Sequence, residues 1–439
     1  MKNYFQDLVK IIKAALGADE EFTLWFSAEH MDYARFNHAA IRQAGTVEQY
    51  YIILSLIKGL KHSSINLALA HNLASDSENL NQALKNLREK IAHSNDDPYL
   101  MLNKNNNSSE YQAPNELQDK KFCIDNILKE SAGLDLVGSY VGGPLYRGFA
   151  NSFGQFNWFE KSSFVLDTSV FYSGDKAIKQ SYCASHFDRS RFRAKMAEAR
   201  LGLELYKKES LSIKPGEYRV YFAPAAVHEL LTMLNWGGFS RKALEVKNSP
   251  LMPLYTSSQK LSPNFSLSEN IAGGVGPDFQ SQGFIKQAQT PLIKNGTLVN
   301  SLISPKTAQE YGLKHNGADE SESLCSMDLS PGDLEEKDIL TALGDGLYIN
   351  NLWYLNFSDR QNGCLTGMTR FLCFVVKNGQ PLAPFSVMRF DDSIYRIFGS
   401  KLLLTKNRDM IIDNSTYDER STSCAILPGI IAENVRFTL

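Results

Sequence analysis

Several things that would place a protein quickly are missing from this sequence. No two cysteines stand in a C-x-x-C spacing: the six (Cys123, Cys183, Cys325, Cys364, Cys373 and Cys424) are scattered over 439 residues. That is too sparse for the disulfide framework of a small secreted domain, and it fits reduced thiols in a reducing compartment. No apolar run approaches the roughly 20 residues needed to cross a bilayer. Neither sign of charge dominates, with 46 Lys plus Arg against 48 Asp plus Glu, so the totals carry no footprint for nucleic acid or an anionic membrane. G-x-x-x-x-G-K-[ST] and G-x-S-x-G are both absent, which counts against phosphate-loop and serine-hydrolase chemistry. Nothing repeats at a fixed period, which excludes a solenoid. The first residues, MKNYFQDLVKIIKAAL, lack the continuous apolar core of a signal peptide because Asp7, Lys10 and Lys13 interrupt it. A cytoplasmic location is the expectation left standing.

What is present is a chain 43% hydrophobic and long enough for two or three domains. Phe5, Leu8, Val9, Ile12 and Leu16 recur at helical spacing and predict an amphipathic first helix. Residues 21–71 carry β-rich, alternating runs expected to form an antiparallel meander. Ser75 and Glu78 form a candidate capping box ahead of the stripe Leu80, Leu84, Leu87 and Ile91. The stretch 94–115, rich in Asn, Ser and Pro, reads as an exposed linker, followed by a helix over about 116–131. Short β-prone runs then lead to a helix over about 188–208, capped by Asp188 and bearing Phe192, Met196, Ala199 and Leu203. The strand GEYRVYF runs into PAAVHELLTML, where Pro224 suits a first helical position. The expected fold is α+β: an N-terminal α/β domain of antiparallel strands and helices, then a large, mostly antiparallel, β-rich C-terminal domain. The expected divisions are 1–93, a linker and helix over 94–132, a central segment over 133–249 and the β-rich part over 250–439.

The best chemical lead is His228-Glu229. In zinc peptidases such a pair is joined by a second His one turn on, because positions i and i+4 share a helix face and the Glu polarises a metal-bound water. Here position i+4 is Thr232, so that motif fails. A Glu at a helix start, favourable against the dipole, accounts for the pair without chemistry. Asp391-Asp392 suits a metal-binding pair or, more simply, a surface turn. Asp188 is explained by capping, with His186 beside it. Cys364 and Cys373 flank a strand-like stretch, where cysteine usually acts as a small apolar filler. Gly273-Gly274-Val275-Gly276 is explained by a loop as well as by a ligand cradle. His30, His38, His62, His71, His93 and His315 are isolated.

From residue 133 onward the chain resembles the TldD/PmbA (TldD/TldE) metallopeptidase family. The likeness is carried by Phe279-Gln280-Ser281-Gln282-Gly283, Thr290 to Gly296 (TPLIKNG), Asn316-Gly317-Ala318 and Gly346-Leu347-Tyr348-Ile349. Its most specific stretch is Tyr354 to Gly363 (YLNFSDRQNG), followed by Thr366-Gly367-Met368-Thr369-Arg370, Lys377-Asn378-Gly379 and Arg389 to Ser393. Gln280 and Gln282 stand where the family carries acidic residues. In the metal-bearing branch, His-Glu is followed after three residues by His, with a cysteine near the C-terminus. The resemblance therefore implies His228 and Cys424 as metal ligands and Glu229 as the catalytic residue, but Met233 occupies the second His position. A thioether is a poor substitute for imidazole on zinc or iron, and positions i and i+5 lie about 140° apart on a regular helix. The chain thus resembles the PmbA/TldE-like branch, whose own metal site is incomplete. The implied function is that of a peptidase subunit acting on unfolded or extended peptides, bound as an added strand. Zinc or iron would be supplied by a TldD-like partner, with no metal bound by this chain alone. Two alternatives remain open: a self-sufficient homodimeric metallopeptidase with a reduced His/Cys site, and a non-catalytic peptide-binding or regulatory protein. No role for nucleic acid or membrane is implied.

Overall fold

The computed structural model describes residues 1–399, 401–413 and 419–438. The first sheet contains β1 (Glu21–Asn37), β2 (Ala40–Lys58), β3 (Lys61–Ala68), β4 (Ser109–Gln112), β5 (Asp135–Asn151), β6 (Phe156–Ser173) and β7 (Lys176–Ala184). Its order is β3-β2-β1-β5-β6, with β4 and β7 pairing to different stretches of the same edge of β6. The long strands serve two cores. Phe22, Leu24 and Phe26 pack under α1 (Lys2–Ala15) and α2 (Leu73–Ala92), while Ala34, Phe36, Tyr140 and Phe164 pack with α3 (Lys120–Glu130) and α4 (Arg189–Tyr206).

The second sheet is built from β8 (Gly216–Phe222), β9 (Leu267–Glu269), β10 (Thr290–Lys294), β11 (Thr297–Leu298), β12 (Ser326–Leu329), β13 (Gly346–Asp359), β14 (Cys364–Lys377), β15 (Gln380–Pro384), β16 (Arg389–Ser393), β17 (Leu403–Ile412) and β18 (Cys424–Phe437). Most pairs are antiparallel, but β8 runs parallel to β13 and β12 parallel to β18. Because β8 pairs with both β13 and β18, the strands β8, β13, β14, β16 and β18 close into a ring. The helix α5 (Pro224–Asn235) supplies Ala226, Val227, Leu230, Leu231, Met233 and Leu234 to the core of this sheet, with Leu347, Ile349, Leu427 and Ile430. The fold is α+β, with the antiparallel sheet and its helices first and the larger strand-rich sheet after it. The stretch 133–249 is divided between the two sheets, β5 to β7 entering the first and β8 the second.

Several local expectations change. α2 begins at Leu73 with Asn72 as its cap, accepting from the Ala74 and Ser75 N–H groups; Ser75 already lies within the helix, so the capping box does not form. The stretch 94–115 is not wholly an exposed linker. Ser109–Gln112 pairs with β6, and Asn103 is buried, its amide donating to the Gly283 carbonyl at 2.7 Å. Polar composition misled here because side-chain amides can satisfy a buried path when backbone carbonyls meet them. Asp392 is no surface turn either: it is buried in β16, accepts from the Arg436 N–H at 2.8 Å and pairs with Arg396 at 2.9 Å.

One buried ion pair ties the segment preceding β18 to the first sheet. The Arg420 guanidinium contacts Glu29 on β1 at 3.1 Å and donates to the carbonyls of Ser163 and Gly143 on β6 and β5 at 2.8 and 2.7 Å. Gly143 permits the tight crossing beside it: its φ is +142°, and a Cβ there would stand 2.2 Å from the His30 carbonyl. Removing one member of a buried pair leaves an uncompensated charge. Arg420→Ala is therefore expected to cost about 3–5 kcal/mol in denaturant unfolding. The double variant Glu29→Leu/Arg420→Leu should recover much of that loss.

Candidate functional site

The His-Glu pair sits on α5, which follows directly from β8 of the second sheet. Val220 and Phe222 point into that core, Ala223 is the N-cap without a side-chain cap, and Pro224 opens the helix, where its missing N–H costs nothing. The apolar residues of α5 occupy one broad face. His228 and Thr232 share another, with Thr232 Oγ1 3.5 Å from His228 Nε2. The imidazole faces Asp413, just past β17, at 3.8 Å. Burial lowers its pKa from the ordinary value, with the Asp413 charge working in the opposite direction. Glu229 reaches solvent but is crowded on its other sides; desolvation first, then Asp413, raise its pKa, and Lys179 opposes them.

Cys424 stands at the start of β18, paired with Ser326 on one side and Ile412 on the other. Its side chain is buried with Val141, Val165, Cys183, Val275 and Ile412. The thiol meets Ser326 Oγ at 3.5 Å, and burial raises its pKa, which favours the protonated form. On its far side, Ser326, Cys325, Lys286, Thr422 and Ser423 help line a cavity of about 280 Å³. His228 and Cys424 thus lie in one neighbourhood, linked through Asp413 and Ile412, and no hydrogen bond joins them. Met233 is 3% exposed and belongs to the apolar core, on the side of α5 away from His228 and Thr232. A metal ion needs converging, deprotonated donors. Among the described residues no group of three or more His, Cys, Asp or Glu is placed to hold one. The donors among the described residues do not fit a metal centre, and no catalytic step is routed through one. Asp413 and Lys179, which set the electrostatics of the His-Glu pair, carried no motif in the sequence. They reach it only because β17 lies beside α5 and β7 of the first sheet packs against β17.

Comparison with known proteins adds to this geometry. The family model described as the PmbA/TldA metallopeptidase C-terminal domain matches residues 215–439. A search of curated proteins finds no match. Among solved structures, TldE from Thermococcus kodakarensis has a TM-score of 0.80 at 15% identity, covering 99% of this chain and 100% of that one. A proposed modulator of DNA gyrase from Thermotoga maritima has a TM-score of 0.75 at 14% identity, covering 99% and 100%. A second such proposed modulator, from Bacteroides thetaiotaomicron, has a TM-score of 0.73 at 16% identity, covering 100% and 98%. At these identities the likeness is one of fold.

The geometry at position 233 makes a sharp prediction. Met233→His puts an imidazole into the apolar core, where an unpaired polar group costs roughly 1–3 kcal/mol. The variant should be destabilised by that order in urea unfolding and should acquire no stoichiometric zinc or iron by elemental analysis. Gain of a metal without loss of stability would mean that α5 can turn residue 233 toward His228.

Proposed function

We propose a function from one premise: the chain belongs to the PmbA/TldA metallopeptidase family, whose C-terminal domain model matches residues 215–439. Its role is that of the PmbA/TldE-like subunit of a peptidase acting on unfolded or extended peptides, with a TldD-like partner supplying the metal and activating the water. The observation that carries this reading is the core position of Met233, with His228 turned toward Asp413 and Cys424 held apart among apolar side chains. A chain so built shapes a peptide-binding cavity without hydrolysing the peptide itself. Binding of extended backbone is supported by the sheet order, in which β3 is the terminal strand of the first sheet; strand addition draws affinity from main-chain hydrogen bonds and makes few demands on side chains. No helix among the described residues is long and apolar enough to cross a membrane. All six cysteines are free, in keeping with a cytoplasmic setting.

The test is reconstitution. The purified chain alone should leave an unfolded, fluorescently labelled peptide intact, whereas adding a TldD-like metal-bearing subunit should give cleavage above that of the partner alone, with a complex visible by size-exclusion chromatography. Cleavage by the chain alone, abolished by Glu229→Gln, would replace this reading with the self-sufficient homodimeric enzyme. Peptide binding without turnover in either setting would replace it with a binding protein.

A further inference from the structure

A cavity of about 710 Å³ opens where α4 and β7 meet β8, β13, β14 and β17, a size in the range of small-molecule sites, about 300–1,000 Å³. Its floor is aromatic. The Tyr348 ring stacks on Phe374 with centroids 4.4 Å apart and leans on Tyr221 at 4.8 Å. Leu205, Ile339, Leu340 and Leu372 extend this surface with aliphatic carbon.

Tyr221 is 4% exposed, and its hydroxyl lies over Gly429, where a Cβ would come within 2.3 Å of it. That hydroxyl has no hydrogen-bond partner among the described residues, nor has the hydroxyl of Tyr348. Both tyrosines line the cavity and neither hydroxyl is among the fully buried polar atoms left unpaired, so each is open to a bond from solvent or from a ligand that displaces it.

The charges around the cavity are unevenly used. Of the cations, Lys179 pairs with Asp167 at 2.5 Å, Arg191 and Lys195 share Asp409 at 2.6 and 2.9 Å, and Arg408 is taken by Asp328. Glu198 and Glu336 also line the cavity; neither forms an ion pair among the described residues, while Glu198 is hydrogen-bonded to Gln180 and lies in the field of Lys195. Burial first, and then the charges of Glu198, Glu336 and Asp409, hold the Tyr221 and Tyr348 phenols in the protonated, donor-and-acceptor form. The carboxyl of Glu198 is itself pushed upward by desolvation first, with Glu336 and Asp409 adding to the rise and the Lys195 charge and a Gln180 hydrogen bond working against it.

We propose that this cavity binds a primary alkylammonium group, with the cation between Glu198 and the Tyr221 and Tyr348 phenols and the alkyl chain along Leu372 and Leu205. An ammonium group provides three donors for phenol and carboxylate oxygens and a positive charge over an aromatic face. The group can come from a free alkylamine or from a lysine side chain of a peptide, and the inference stands independently of the proposed subunit role. The first turn of α5, Ala223 to Ala225, borders the same cavity, and a helix N-terminus favours anions, so a carboxylate is the competing ligand.

The purified full-length chain is titrated by calorimetry at low ionic strength with n-pentylamine, N-acetyl-lysine methylamide, n-pentanol and pentanoate. Saturable one-to-one binding of an ammonium probe, at least about tenfold tighter than pentanol, is expected. Glu198→Gln should weaken it by about tenfold and Tyr221→Phe, which removes only the hydroxyl, by several-fold, with melting temperatures checked to confirm that both variants fold. Preference for pentylamine assigns the free amine as source, and preference for the lysine derivative assigns a peptide. The proposal falls if pentanol binds as well as pentylamine, if pentanoate binds more tightly than either amine, if no probe saturates, or if the folded Glu198→Gln variant binds unchanged.

Discussion

Phe192, Met196 and Ala199 of α4, with Tyr140, Phe164 and Leu166 of the first sheet, are buried in one apolar cluster with Tyr221 and Ala223 at the junction of β8 and α5 and with Leu372, Phe374 and Ile431 of the second sheet. Burial of a large apolar side chain contributes roughly 1.5–3 kcal/mol, so this shared cluster outweighs any polar contact between the sheets. The Arg420–Glu29 pair crosses the same junction, but a buried ion pair returns little beyond its desolvation cost. Its role is to fix where the segment before β18 lies once the apolar surfaces have met. The placement of α5, β17 and β18 relative to the first sheet follows from that meeting.

The consequence for chemistry is clearest on α5. Six apolar residues commit one face of a twelve-residue helix to the core of the second sheet. That commitment leaves His228 and Thr232 on a different side and aims residue 233 inward. A metal-binding pair at positions 228 and 233 would oppose this packing, because the two positions diverge on a regular helix. With methionine at 233 the core gains a flexible apolar filler, and no ligand holds the helix away from its regular form. The histidine keeps a carboxylate neighbour, Asp413, but in a pocket too dry to favour its charged form.

The same cluster walls the cavity beside α4. Tyr221, Leu372 and Phe374 belong both to the shared core and to the cavity lining. The packing that joins the sheets therefore also leaves the Tyr221 and Tyr348 phenols facing the cavity. Stability and a potential binding surface arise here from one arrangement.

The elements that were legible in the sequence are those whose signals are local. The spacing of Phe5, Leu8, Val9, Ile12 and Leu16 gives α1, which ends just before Leu16, Asp188 caps α4 as its side chain requires, and Pro224 opens α5. The motif order from 279 to 393 was likewise sufficient to indicate the family, to which the matching domain model assigns the chain. The strand at 109–112 and the burial of Asp392 were not legible, since each depends on a partner distant in the chain: β6 for one, Arg436 and Arg396 for the other. By itself the sequence determined the five longer helices, the α+β class and the residue types available at 228, 229, 233 and 424. Only the tertiary structure decided that Met233 faces the core, that His228 meets Asp413 and that Cys424 lies among apolar side chains. Direction and proximity are set by long-range packing, which no local spacing encodes.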